Sequence, residues 1–254
     1  MSLKKEQVYT LLKGIETGDP KAVVVVNEAK YIQHNPLTQT GNVGLAKLFK
    51  RLSETNPHVE IVRLFQDGDY VFAHTDYDFN ILEVGFELFR FEDAYIVEHW
   101  DNLQLKPEKA NPSGHTMLDG LTEVSDLEKT QENKKFVASF VNDVLVNNHL
   151  ESLDNYIDKH SYIEHNKDMS DGIEKLHESL SLNKQNREYV RVHKVLGEGN
   201  FVLSIIEGYL DGVHTSFYDL FLIKNKLIIE HWDTVNEIPP KSQWVNSNGK
   251  FNFE

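Results

Sequence analysis

The sequence predicts an α+β protein built from two tandem copies of one domain, and three observations carry that reading. Tyr31-Ile32-Gln33-His34-Asn35 returns as Tyr162-Ile163-Glu164-His165-Asn166, and Ile96-Val97-Glu98-His99-Trp100-Asp101 returns as Ile228-Ile229-Glu230-His231-Trp232-Asp233, both displaced by about 131 residues. Each copy opens with helical periodicity and closes with alternating, β-branched segments, the order that defines an α+β layer fold. Between the copies, Leu105 to Glu123 carries Pro107, Asn111-Pro112 and Gly114 and reads as a linker. The boundary is placed at residue 120, giving domains 1–120 and 121–254.

The elements follow in order. Val8, Leu11, Leu12 and Ile15 recur at helical spacing, as do Leu45, Leu48, Phe49 and Leu52. Val23 to Val26 alone favours a strand, but its repeat partner Leu150, Leu153 and Ile157 has helical spacing, so both are read as helical. In the second copy Ser125 with Glu128 reads as a capping box before a helix through Phe136, Phe140 and Val144. From Val59 the pattern turns to strands: Val59–Phe65 and Tyr70–Tyr77 around Asp67-Gly68, then Phe86–Phe91 and Tyr95–Trp100 around Glu92-Asp93. The second copy repeats them, with a turn at Lys224-Asn225.

Composition narrows the partners. A net charge of −14 is the wrong sign for a nucleic-acid surface. No apolar run approaches a membrane span, and the N-terminus lacks the apolar core of a secretion signal. The absence of cysteine excludes disulfides and thiolate chemistry, and a cytoplasmic protein is the simplest expectation. No Gly-rich phosphate loop, nucleophile elbow, His-x-x-x-His pair or carboxylate-rich helix is present, so neither cofactor nor metal is expected.

The chemistry-bearing residues sit on the last strand of each copy. Strand alternation puts His99 and Asp101 on one face with Glu98 and Trp100 on the other; His231 and Asp233 repeat this beside Glu230 and Trp232. A His and an Asp side by side on a concave face can exchange protons with a ligand, provided burial tunes the carboxyl. They can equally hydrogen-bond to each other at a strand end. His34 and His165 either face the same cavity or bond to backbone at the turn that follows them.

These strings, with Val71-Phe72-Ala73-His74 and the tail Asn111-Pro112-Ser113-Gly114-His115-Thr116-Met117, resemble the SnoaL-like polyketide cyclases of the NTF2-like superfamily. Asn246 to Phe251 looks like a variant of that tail. The resemblance implies two tandem NTF2-like cone domains, each a curved, mostly antiparallel sheet wrapped around helices and enclosing an apolar pocket. It implies Asp101 and Asp233 as catalytic acid/bases with His99 and His231 beside them, and His34, His74, Glu87, His165 and Asp219 as pocket lining. Glu87 stands where the second copy has Asp219, and His74 where it has Ile205, so two non-equivalent pockets are expected, the first the working one. The expected function is a cofactor-independent cyclase, isomerase or hydrolase on a small apolar carbonyl compound. The alternative is a ligand-binding or sensory protein using the same pocket. The expected partner is a small-molecule ligand. The fused pair is expected to form an intramolecular pseudo-dimer that can assemble further into a homo-oligomer, with Trp100 and Trp232 near the domain contact.

Overall fold

The computed structural model describes residues 1–183 and 185–253. Helix α1 (Leu3–Thr17) starts where the Ser2 hydroxyl accepts the Lys5 N–H and stops at Gly18, whose φ of +63° lets its N–H return to the Gly14 carbonyl. Its buried stripe is the one the spacing predicts: Val8, Leu11, Leu12 and Ile15. Pro20–Val25 is helical but of the tight 3₁₀ type, begun by Asp19 accepting the Lys21 N–H; Val26 then bridges Ile96. Two-residue β1 (Ile32–Gln33) and α2 (Gly41–Ser53) lead to β2 (His58–Asp67), β3 (Tyr70–Asp78), β4 (Leu82–Glu92) and β5 (Tyr95–Leu105). The sheet order is β1-β5-β4-β3-β2, antiparallel except for β1 against β5. Bulges at Ile61/Arg63 and Arg90/Phe91 add bend to it. One core joins α1, α2 and the inward side of this sheet.

The second copy repeats the plan. A short 3₁₀ turn (Leu127–Lys129) precedes α3 (Thr130–Phe140), which widens into a π-helix at Val141–Val146. The expected capping box is not formed: the Ser125 backbone N–H and C=O are both taken by Asn200, in the turn between later strands, and Asp126 sits at φ +54°. A 3₁₀ helix at Leu150–Asn155, β6 (Ile163–Glu164) and α4 (Ile173–Asn183) follow. Then come β7 (Arg187–Glu198), β8 (Phe201–Leu210), β9 (Val213–Lys224) and β10 (Leu227–Glu237), in the order β6-β10-β9-β8-β7. The fold is one α+β plan twice over, a five-stranded sheet with helices in each copy. Among the described residues no helix is long and apolar enough to cross a membrane.

The compact units depart from the 1–120 and 121–254 division. One unit is Met1–Leu105 together with Ile238–Glu254; the other is Lys106–Glu237. Each copy's tail therefore belongs to the unit built by the other copy's sheet. The reason is visible in what the tails bond to. Asn111 is buried and donates through Nδ2 to the carbonyls of Glu164 and Asn166, while Asn246 donates to those of Asn35 and Thr38. Trp100 and Trp232 are fully buried beneath these tails, with indole N–H bonds of 2.9 Å to the carbonyls of Asn252 and Asp119 respectively.

Candidate functional site

In the first unit a cavity of about 350 Å³ opens between α1, α2 and the concave face of the sheet. Its walls are largely apolar, including Leu11, Ile15, Leu48, Phe49, Phe79 and Leu103. Polar groups converge on one side: Tyr31, Gln33 and Asn35 from the β1 segment, Tyr77 from β3, Glu87 from β4, and His99 and Asp101 from β5. The register explains this grouping, since Gln33 pairs with His99 and Glu87 pairs with Asp101.

The hydrogen bonds assign the roles. The Gln33 carbonyl oxygen accepts the Asn35 N–H at 2.9 Å, so its amide NH₂ faces His99 Nδ1, also at 2.9 Å. Nδ1 is then the acceptor, and Nε2–H points at Glu87 Oε2, 2.6 Å away. Tyr77 donates its hydroxyl to the other Glu87 oxygen at 3.0 Å. The His99 ring is held flat against Phe89 at 4.6 Å. Asp101 receives the Asn35 side-chain amide on both oxygens, at 3.0 and 2.8 Å, and the buried Lys250 ammonium lies 3.5 Å from Oδ1. Burial pushes the Lys250 pKa down, with Asp101 pulling against that shift. Burial also raises the phenols of Tyr31 and Tyr77 and the carboxyl of Glu83, so all three stay protonated into higher pH than usual.

The second unit repeats the frame with different chemistry. Glu164 replaces Gln33, and His231 stands between two carboxylates: Glu164 at 2.9 Å from Nδ1 and Asp219 at 3.0 Å from Nε2. Burial opposes a charge there, but the flanking Glu164 and Asp219 carboxylates prevail and hold the His231 pKa well above its ordinary value. Asp233, bonded to the Asn166 amide at 2.9 and 2.7 Å, is pushed up to about 6 by burial, against the attraction of His231 and Arg187. Aromatic placement is also exchanged. In the first unit Gly85 leaves room for the Tyr77 ring, whose Cε2 lies 2.7 Å from where a Cβ would stand. In the second the large residue is Phe217 and the small one Gly208. Phe217 has no hydroxyl to offer Asp219; instead the Arg187 guanidinium lies over its ring and donates to the Tyr189 hydroxyl at 3.1 Å. A cavity of about 180 Å³ lined by Arg187 and Tyr189 does not include His231 or Asp233.

Several expected pocket residues lie elsewhere. His34 and His165 are on the opposite side of their sheets, stacked on Trp100 at 4.2 Å and on Trp232 at 4.5 Å. The cause is alternation: Gln33 and Glu164 take the inward position, so the next residue turns outward. His74 is outward for the same reason, since Ala73 is the residue opposite Glu87; its ring packs edge-on to Phe86 and its Nδ1 meets Arg63 at 3.0 Å. Gln33, Tyr77 and Lys250 were not singled out from sequence. Gln33 occupies the variable position of Tyr-Ile-x-His-Asn, and the Gln/Glu difference between the copies was the available signal.

No family model matches the chain, and no curated protein matches it. Solved structures do resemble it over one copy. TsrD from Streptomyces laurentii is 19% identical over 40% of this chain and 88% of its own, with a TM-score of 0.36. An epoxide hydrolase of the LEH-like type from M. tuberculosis is 17% identical over 42% and 85%, with a TM-score of 0.36. An NTF-2 like protein of unknown function from Burkholderia xenovorans is 13% identical over 48% and 99%, with a TM-score of 0.40.

Proposed function

We propose that the first unit is the working half of a cofactor-independent acid/base enzyme acting on a small, largely apolar carbonyl compound. The observation that carries this is one cavity wall on which Asp101, His99 and Glu87 meet inside an otherwise apolar chamber of small-ligand size. Asp101 is the proton-transfer group, with Asn35 and Lys250 fixing its carboxylate. Glu87 accepts from both His99 and Tyr77, and either donor can turn to a ligand oxygen that bears developing charge. Aldol ring closure, isomerisation and hydrolysis all fit such an arrangement. The second unit is the structural half, because its histidine is locked between two carboxylates and Arg187 occupies the interior. Two halves that hold each other's tails also support reading the chain as an intramolecular pseudo-dimer.

The test is a thermal-shift screen of aromatic and polyketide-like ketones on the parent, Asp101→Asn and Asp233→Asn, followed by turnover assays on the hits. The expected result is ligand stabilisation with turnover that Asp101→Asn abolishes and Asp233→Asn retains. Turnover that survives Asp101→Asn, or that disappears in Asp233→Asn alone, overturns the assignment. Stabilisation without turnover of any hit favours the second reading, a binding or sensory protein, for which the same apolar chamber speaks.

A further inference from the structure

On the outer side of the second sheet, away from the acid/base groups, His115, Asp119 and His165 bring one donor atom each to within 4.8 Å of one another. Asp119 spans the two rings, with Oδ1 at 2.8 Å from His165 Nδ1 and Oδ2 at 3.2 Å from His115 Nδ1. The Thr116 carbonyl oxygen lies 3.0 Å from the same His165 nitrogen. The far nitrogen of each ring also faces a carboxylate: His165 Nε2 is 3.2 Å from Glu230, and His115 Nε2 is 3.3 Å from Asp171. Each imidazole thus has a carboxylate behind it that can accept its Nε2–H while Nδ1 turns to a cation in place of its present acceptors, which is how metal-ligating histidines are oriented. Two imidazole nitrogens, a carboxylate and a carbonyl oxygen are grouped within reach of one point, a donor set that suits a cation.

We infer that His115, His165 and Asp119 form a site for one first-row divalent cation, with Zn²⁺ as the intended occupant. Two imidazoles and one carboxylate suit zinc, and open positions remain for the Thr116 carbonyl or water. The site is pre-formed on its buried side, because His165 has no exposed side-chain surface and is stacked on Trp232. Gly120, at φ +88°, lies so close that a Cβ there would meet Glu230 Oε2 at 2.4 Å and His165 Nε2 at 2.9 Å. Entry is from the other side, where His115 and Asp119 are partly exposed. The bound ion would clamp the segment carrying His115 and Asp119 to β10 and to His165.

The first unit supplies an internal contrast. The second tail has Lys250 where the first has His115, and β4 has Arg90 where β9 has Leu222. Arg90 takes up Glu98, the counterpart of Glu230, at 2.8 Å. The first substitution removes a ligand, and the second adds a guanidinium that occupies the carboxylate behind the ring.

The full chain, freed of metal with chelator, is titrated with Zn²⁺ by calorimetry and with Co²⁺ by visible absorption. One ion per chain is expected, with histidine-nitrogen signatures in the spectrum. His115→Lys and Asp119→Asn should each weaken binding by more than about 100-fold, and Glu230→Gln by about 10- to 100-fold. Glu87, His99 and Asp101 are a second group with compatible spacing, so Glu87→Gln is run alongside and should leave binding unchanged. Binding lost in Glu87→Gln and kept in His115→Lys overturns the assignment. So does the absence of binding at micromolar metal and neutral pH.

Discussion

Replacing Asp233 by Asn should make the protein more stable at neutral pH, although it deletes a buried carboxylate held by two hydrogen bonds. The folded-state pKa of about 6 lies above the ordinary 3.8 because burial disfavours the charge more than His231 and Arg187 favour it. Between those two values the native state keeps a proton that the unfolded chain has released, so stability falls as pH rises through that window. The displacement corresponds to roughly 3 kcal/mol, fully expressed above about pH 7 and absent below about pH 3. The replacement amide carries no charge at any pH and retains an oxygen for the Asn166 side chain. The variant should therefore match the parent within about 1 kcal/mol at about pH 4 and exceed it by about 3 kcal/mol at about pH 7. Urea unfolding of both proteins across this acidic-to-neutral range measures the difference. A carboxyl ¹³C titration of the parent should show a midpoint of about 6 that the variant lacks. A stability difference that stays flat across this range would refute the claim that burial dominates at Asp233.

Three further outcomes follow from the same geometry. Gln33→Glu reproduces the second unit's arrangement, and both His99 nitrogens should then carry protons at neutral pH, read directly from imidazole ¹⁵N shifts. Tyr77→Phe removes the hydroxyl from buried Glu87 and should cost about 1–3 kcal/mol, with a double-mutant cycle against Glu87→Gln recovering most of it as coupling. Trp100→Ala empties a fully buried site between His34 and Phe253 and should cost about 3–5 kcal/mol, accompanied by proteolytic cleavage within residues 238–253.

Much of this molecule was readable from its residues, for identifiable reasons. Duplication, helix order and strand order were legible because each is a local pattern repeated twice. The inward phase of His99 and Asp101 was legible because alternation along β5 is unbroken from Glu98 onward. His34, His165 and His74 were misplaced because their orientation depends on neighbours distant in sequence. Which side His34 takes depends on the parallel pairing of β1 with β5, and a two-residue strand leaves almost no periodicity to detect. Lys250 at Asp101 was hidden for a related reason: it comes from the other copy's tail, 149 residues along the chain.

That tail arrangement also sets an order of events during synthesis. One unit is continuous in sequence and the other is interrupted by it, because Ile238–Glu254 completes the unit begun by Met1–Leu105. A ribosome adding about 5–20 residues per second needs roughly 7–30 s to travel from Leu105 to Glu254. Throughout that interval the nascent first unit has an uncovered Trp100 and no Lys250 beside Asp101. The unit that begins first is completed only after the other has been made, once residues 238–254 have left the ribosome. For those seconds the indole is exposed apolar surface, and a chain stopped at Glu237 would keep it so.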